Sequence, residues 1–264
     1  MKKFVLFFSI VFFIGSCSQV PITGRNQLTW IPSDQMLSLS FQSYNEVLQE
    51  AELSDNQEWV SMVKTVGSDI KNAVQEYLTQ INKTELLEGY RWEFHVLESD
   101  QVNAWAMPGG KVAFYEGIMP ICEDETGVAV VMGHEIAHAI AEHGNERMTQ
   151  GLIQQGLGTG LAVALQDAPE QTQQIAMTAY GVGSTVLGIL PFSRTHESEA
   201  DRLGLVFMAL AGYNPREAPR FWQRMQSKSG GGAPPEFLST HPSHETRISN
   251  LQEWMPEALK YYRK

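Results

Sequence analysis

His134 and His138 stand four residues apart, with Glu135 beside the first, in the stretch GVAVVMGHEIAHAIAEHGNER. On a helix, residues four apart lie on one face, one turn above the other. Two imidazoles presented that way can bind one zinc ion, and a carboxylate next to the first can take a proton from the water activated there. The bland alternative is a buried helix with two hydrogen-bonded histidines. Glu135 argues against it, because a carboxylate in an apolar, alanine-rich run is costly without a metal or cation nearby.

Such a centre needs a third protein ligand and groups that orient the histidines. The candidate stretch runs from Ser193 to Arg202 (SRTHESEADR), continued by the apolar residues Leu203, Leu205, Val206, Phe207 and Leu210 up to Gly212, a C-terminal stop. Glu197 and Asp201 are four apart and share a helical face. Glu197 can then bind the metal while Asp201 accepts the spare N–H of a ligand histidine. Glu199 projects about 200° away from Glu197 at about 100° per residue, toward solvent or an ion pair. His143 does not complete a three-histidine motif, because Ala141 and Gly144 stand where Gly and His would be needed. His143 reads as structural, as does His95.

The elements that must carry these groups follow from periodicity. Glu123, Asp124 and Glu125, with Thr126 as a possible N-cap, suit the start of a helix through Val128 to Glu146. Leu37, Phe41, Tyr44 and Leu48, then Val60, Val63, Val66, Ile70 and Val74, recur at helical spacing and predict scaffold helices from Ser33 or Ser38 to about Gln80. Between Arg91 and Tyr115 the pattern changes to short β-prone runs (WEFHVLE, VNAWAM, KVAFYEG) around the turn Pro108-Gly109-Gly110, which predicts a small antiparallel sheet. Ile175 to Phe192 carries no charge; its glycines and Pro191 favour a buried or groove-lining helix over a membrane span. Ser227 to Pro235 (SKSGGGAPP) reads as a mobile loop.

Residues 1–16 read as a signal peptide: Lys2 and Lys3, an apolar run from Phe4 to Ile14, then Gly15-Ser16 before Cys17. Small residues directly before a cysteine resemble a bacterial lipobox, which would make Cys17 the lipidated first residue of the mature chain. Residues 17–33 then form a tether, and 34–264 the main domain. Loss of Lys2 and Lys3 takes the net charge from −11 to −13, which excludes nucleic acid as a partner. With Cys17 acylated, Cys122 is the one cysteine left, a small core residue with no partner for a disulfide or thiolate metal site.

HEIAH, SRTHESEAD, NAWAMPGG and THPSHETR, together with the early PITGRNQL, resemble the HtpX- and Oma-type zinc metallopeptidases, and most closely their periplasmic lipoprotein branch (BepA- and LoiP-like). The resemblance implies an α+β fold: a mainly helical zincin-type metallopeptidase domain with a small antiparallel sheet. It implies one zinc ion per chain on His134, His138 and Glu197, Glu135 as general base and Asp201 behind a ligand. It also implies that Asn103, Ala104, Trp105 and Ala106 form the strand along which an extended polypeptide substrate lies. His241 matches a family histidine near the metal. It can either plug the fourth zinc position or, with Arg247 as a further candidate, assist at the oxyanion; the plug is the preferred reading. The expected protein is therefore a zinc endopeptidase of unfolded or misassembled proteins in the bacterial cell envelope. It would face the periplasm, held by lipid at Cys17, with Ser18 leaning toward the outer membrane. The alternative is a chaperone-like or latent peptide-binding lipoprotein with little turnover.

Overall fold

Gly127 to Ile140 are all buried, which is what a helix apolar on every face requires. This helix, Glu125–Ile140 (α4), is the centre of the computed structural model, which describes residues 16–184, 190–228, 237–238, 241 and 246–263. Asp124 caps it, its carboxylate accepting from the backbone N–H groups of Thr126 and Gly127 at 2.8 and 3.0 Å. Thr126, the cap expected from sequence, is itself inside the first turn. The helix also ends earlier than expected. Glu142 adopts a left-handed conformation (φ 55°), and a new helix, His143–Ala164 (α5), starts after it.

Against α4 pack Gln57–Gln80 (α2), the short Met119–Cys122 (α3), Leu190–Leu210 (α7) and Glu217–Lys228 (α8), while Arg247–Tyr261 (α9) packs on α7 and α8 and Ser33–Glu50 (α1) lies beside the sheet. The expected helical spacing in the scaffold holds for α2, where Val63, Val66, Ile70 and Val74 are fully buried. Gly212 (φ 90°) stops α7 with the two backbone bonds of a Schellman motif, Tyr213 N to Met208 O and Gly212 N to Ala209 O. Helices α4 and α7 meet backbone to backbone. A Cβ on Gly133 would stand 2.9 Å from the Gly204 carbonyl oxygen, and one on Gly204 would stand 2.9 Å from the His134 nitrogen.

The small sheet between Arg91 and Tyr115 is present, with one difference in direction. Its strands Glu93–Leu97 (β3), Ala104–Met107 (β4) and Lys111–Tyr115 (β5) lie in the order β3-β5-β4. The β4–β5 pair is the expected antiparallel hairpin, turned by Gly109 (φ 86°) and Gly110 (φ 80°). The β3–β5 pair is parallel. The reason is the 98–103 connection, which crosses the end of β5, where Ser99 O accepts from Gly117 N, and delivers β4 to the other edge.

The segment expected as a tether is built into the domain. Ser16–Gln19 (β1) and Asn26–Thr29 (β2) form an antiparallel hairpin, and Val20 joins the hydrophobic core. The first part of the uncharged stretch, residues 175–184, differs from the expected burial, and residues 185–189 lie outside the described residues. Glu170–Ser184 (α6) packs along α5, with Tyr180 Oη donating to Gln154 O at 2.6 Å, and none of its residues is buried. Ile175 and Val182 are 63% and 61% exposed. No helix among the described residues is long and apolar enough to cross a membrane. The signal peptide and most of the 227–235 loop lie outside the described residues.

Candidate metal centre

The crossing of α4 and α7 brings His134, His138 and Glu197 together, and His241, from beyond α8, joins them; all four are buried. The two helices are held apart by no more than the Gly133–Gly204 contact, so the HExxH face of one meets the Glu197 face of the other. His134 Nε2 lies 3.1 Å from His138 Nε2 and 3.4 Å from Glu197 Oε2, and His138 Nε2 lies 3.3 Å from Glu197 Oε1. His241 Nδ1 is 3.3 Å from His134 Nε2 and 3.2 Å from Glu197 Oε1. A tetrahedron of ligands at the usual zinc distances, about 2.0 to 2.1 Å, has edges of about 3.3 Å. Nitrogen and carboxylate donors at that spacing, with no thiolate among them, fit zinc.

Asp201 Oδ1 is 2.9 Å from His134 Nδ1, so it can accept that N–H and leave Nε2 for the metal. Arg247 in turn donates to Asp201 Oδ1 at 2.7 Å, and its guanidinium lies 3.3 Å over the Trp222 ring. Arg247 is buried, and its Nη2 is committed to Asp201 while its Nε has no partner among the described residues.

The charges follow from burial and neighbours. Burial alone would lower the His134 pKa, but the Asp201 and Glu197 carboxylates outweigh it and raise it to about 9. Zinc must displace that proton, so affinity falls as pH falls. His138 is held well below the ordinary imidazole value by burial, and so is neutral. Burial would push Glu197 up, yet the imidazoles of His138, His134 and His241 hold it well below the usual carboxylate range. Burial raises Glu135, and its Oε1 accepts no hydrogen bond from the described residues; the nearest partner is His241 Nε2 at 3.4 Å. A buried carboxylate oxygen left without a donor marks where a water or substrate proton belongs.

The remaining sequence candidates fall into place around this cluster. β4, with Ala104, Trp105 and Ala106, is the open edge of the sheet and packs against α4, while Asn103 bonds its own strand through Oδ1 to Ala104 N. Phe237 N donates to Val102 O and His241 N to Phe237 O, so hydrogen bonds link the start of that edge to His241 on the metal face. Glu199 is off the metal, buried, and ion-paired with Arg25 at 2.9 Å. His95 bonds Tyr44 Oη at 2.8 Å in a structural role. His143 was underestimated by its spacing: its Nδ1 is 2.8 Å from His138 Nδ1, brought there by the break at Glu142. A cavity of about 550 Å³ beside the end of α4, lined by Ala139, Glu142, Tyr90 and Pro108 among others, contains none of the four clustered residues. The donor set, not the cavity, locates the chemistry.

Two crossed helices that present HExxH and a distal glutamate, beside an open strand edge, define a zinc metalloendopeptidase. The chain belongs to peptidase family M48, whose profile matches residues 67–255. It is 30% identical to the mitochondrial metalloendopeptidase OMA1 of Saccharomyces cerevisiae across 96% of this chain and 73% of that protein. The same-named protein of Schizosaccharomyces pombe is 32% identical across 94% of this chain and 69% of its own length. The beta-barrel assembly-enhancing protease of Escherichia coli K12 is 29% identical, across 61% of this chain and 34% of that protein. The expected family, mainly helical fold, zinc and endopeptidase activity on polypeptides all stand.

Proposed function

We propose that this endopeptidase hydrolyses unfolded or misassembled proteins of the bacterial cell envelope and that it rests in a latent state. The observation that carries the catalytic reading is Glu135 Oε1, buried and without a donor among the described residues, at the edge of the His134–His138–Glu197 cluster. Zinc on those three residues supplies Lewis-acid chemistry, acidifying water and polarising a carbonyl. Glu135 takes the water proton at Oε1 and returns it to the leaving amine, a role that its burial-raised pKa suits. Asp201 and Arg247 hold the His134 ring in the tautomer that presents Nε2. The edge of β4, unpaired among the described residues, offers backbone groups to an extended chain, a mode tolerant of sequence and so suited to unfolded substrates.

Latency is supported by His241. With its Nδ1 3.3 Å from His134 Nε2 and 3.2 Å from Glu197 Oε1, four protein donors would hold the zinc, whereas a working zinc centre keeps one position open. Phe237, whose carbonyl accepts from His241 N, donates in turn to Val102 O at the start of the proposed substrate edge, so His241 is linked to both parts of the site. If the open form is populated to about 10% or less, His241→Ala should raise basal cleavage of casein by roughly tenfold or more. Zinc content should stay at one per chain. A fall in activity at full zinc content would assign His241 to transition-state stabilisation instead.

The envelope location rests on the lipobox-like residues before Cys17 and on the bacterial relative. Cys17→Ala should abolish labelling by a clickable palmitate analogue and release the protein from the membrane fraction. Label retained by the variant would end the lipoprotein reading. The chaperone-like alternative is weakened because every ligand and the carboxylate base are present and assembled.

A further inference from the structure

We propose that Arg25, in the turn of the N-terminal hairpin, is a positioning residue of the metal centre that acts on His138 through Glu199 and His143. The proposal rests on the reading of His138 as a zinc ligand. His138 turns Nε2 toward His134 and Glu197, so its ring proton must sit on Nδ1. That N–H meets His143 Nδ1 at 2.8 Å, which must therefore accept. The proton of His143 is then on Nε2 and is donated to Glu199 Oε2 at 3.2 Å. A histidine ligand that hands its spare N–H to a carboxylate is the usual way to fix its tautomer and ring plane. Here one imidazole is inserted between ligand and carboxylate.

Glu199 is fixed from the other side by the hairpin turn. Arg25 Nε reaches both its oxygens, at 3.0 and 3.1 Å, Arg25 Nη2 reaches Oε2 at 2.9 Å, and Thr23 Oγ1 donates to Oε1 at 2.7 Å. The same guanidinium donates through Nη1 and Nη2 to Glu146 at 2.9 and 2.7 Å. Glu146 accepts from His196 Nε2 at 2.8 Å, and the His196 ring stacks on His143 with centroids 4.2 Å apart. One planar fork thus clamps the two buried carboxylates that set the position of the His143–His196 stack. An ammonium has the charge but not the fork, so Lys is a poor replacement. The two ligand histidines are served by parallel arrangements: His134 by Asp201 and Arg247 from within the helical core, His138 by His143, Glu199 and Arg25 from the hairpin.

The test measures zinc affinity by chelator competition in the full chain, alongside the visible spectrum of the cobalt-substituted protein and the melting temperature of the zinc-free form. Arg25→Lys should weaken zinc about 10- to 100-fold, the scale for losing an orienting partner, and should alter the cobalt spectrum. His143→Ala should do the same, and the double variant should be no weaker than His143→Ala, because both act along one path. Thr23→Val, a milder change that spares the ion pairs, should give a smaller loss and serves if Arg25→Lys does not fold. A residue that only pins the hairpin would shift the melting temperature and leave zinc affinity and the cobalt spectrum alone. Unchanged affinity in the folded variants, or additive losses in the double variant, would overturn the proposal. If His138→Ala does weaken zinc, the failure belongs to Arg25 alone; if it does not, the ligand assignment falls with it.

Discussion

Glu135→Gln is expected to lower kcat on unfolded casein by at least about 100-fold, the scale of general-base catalysis, with one zinc per chain retained. The amide keeps the shape of the side chain and cannot take a proton. Glu135 is not among the four clustered donors, so the metal residues keep their spacing. The stability effect has the opposite sign from most active-site losses. Because burial raises the Glu135 pKa, folding favours its protonated form. Its charge therefore opposes folding above the folded pKa, and that opposition vanishes below the unfolded value. Gln carries no charge at any pH, so the melting temperature of the zinc-free variant at neutral pH should equal or exceed that of the parent. Near-normal turnover would remove Glu135 from the base role, and a marked drop in melting temperature would show that its burial had been misjudged.

Glu197→Ala should lose zinc outright, by more than the roughly 10- to 100-fold that removing an orienting partner costs. Three imidazoles converge on this carboxylate. Without it His134 and His138 remain, and with His241 they form a neutral set that lacks the one anionic donor. Zinc-free stability should fall as well. The Glu197 pKa is depressed, so its contribution is present above the unfolded carboxylate value and is lost as pH falls toward the folded one. The destabilisation by Glu197→Ala should accordingly be larger at neutral pH than in acid. Metal analysis decides the assignment: Glu199→Ala should still carry zinc, more weakly held. Full zinc in Glu197→Ala and none in Glu199→Ala would reverse the two roles and the helix-face argument with them.

The parts of this site that were legible in the sequence are those set by helical geometry alone. Spacing of four residues placed His134 with His138 and Glu197 with Asp201 on shared faces, and Gly212 marked a helix end, because these are properties of one turn of backbone. What could not be read is what depends on distant partners. Arg25 meets Glu199 across 174 positions, and no local pattern announces such a pair. The break at Glu142 places a glutamate in a conformation that glycine or asparagine would have signalled, so His143 passed for structural. The run after residue 175 has neither charge nor a clear apolar stripe, a composition that leaves burial undetermined until the partner helix is known. The parallel β3–β5 pairing depended on where a six-residue connection crossed the sheet end, while the Pro-Gly-Gly turn announced only the hairpin beside it.

The Gly133–Gly204 crossing acts as a gauge. Where two helices meet through side chains, their separation is a compromise that a different Leu or Val can renegotiate. Here the spacer is peptide backbone, which is the same thickness in every sequence. The apolar residues of α4 and α7 can therefore drift, altering how firmly the domain holds together, while the span from His134 to Glu197 keeps its length. The tolerance of the chemistry is decoupled from the tolerance of the core, and it is concentrated in two positions where a single methyl group would wedge the jaws apart.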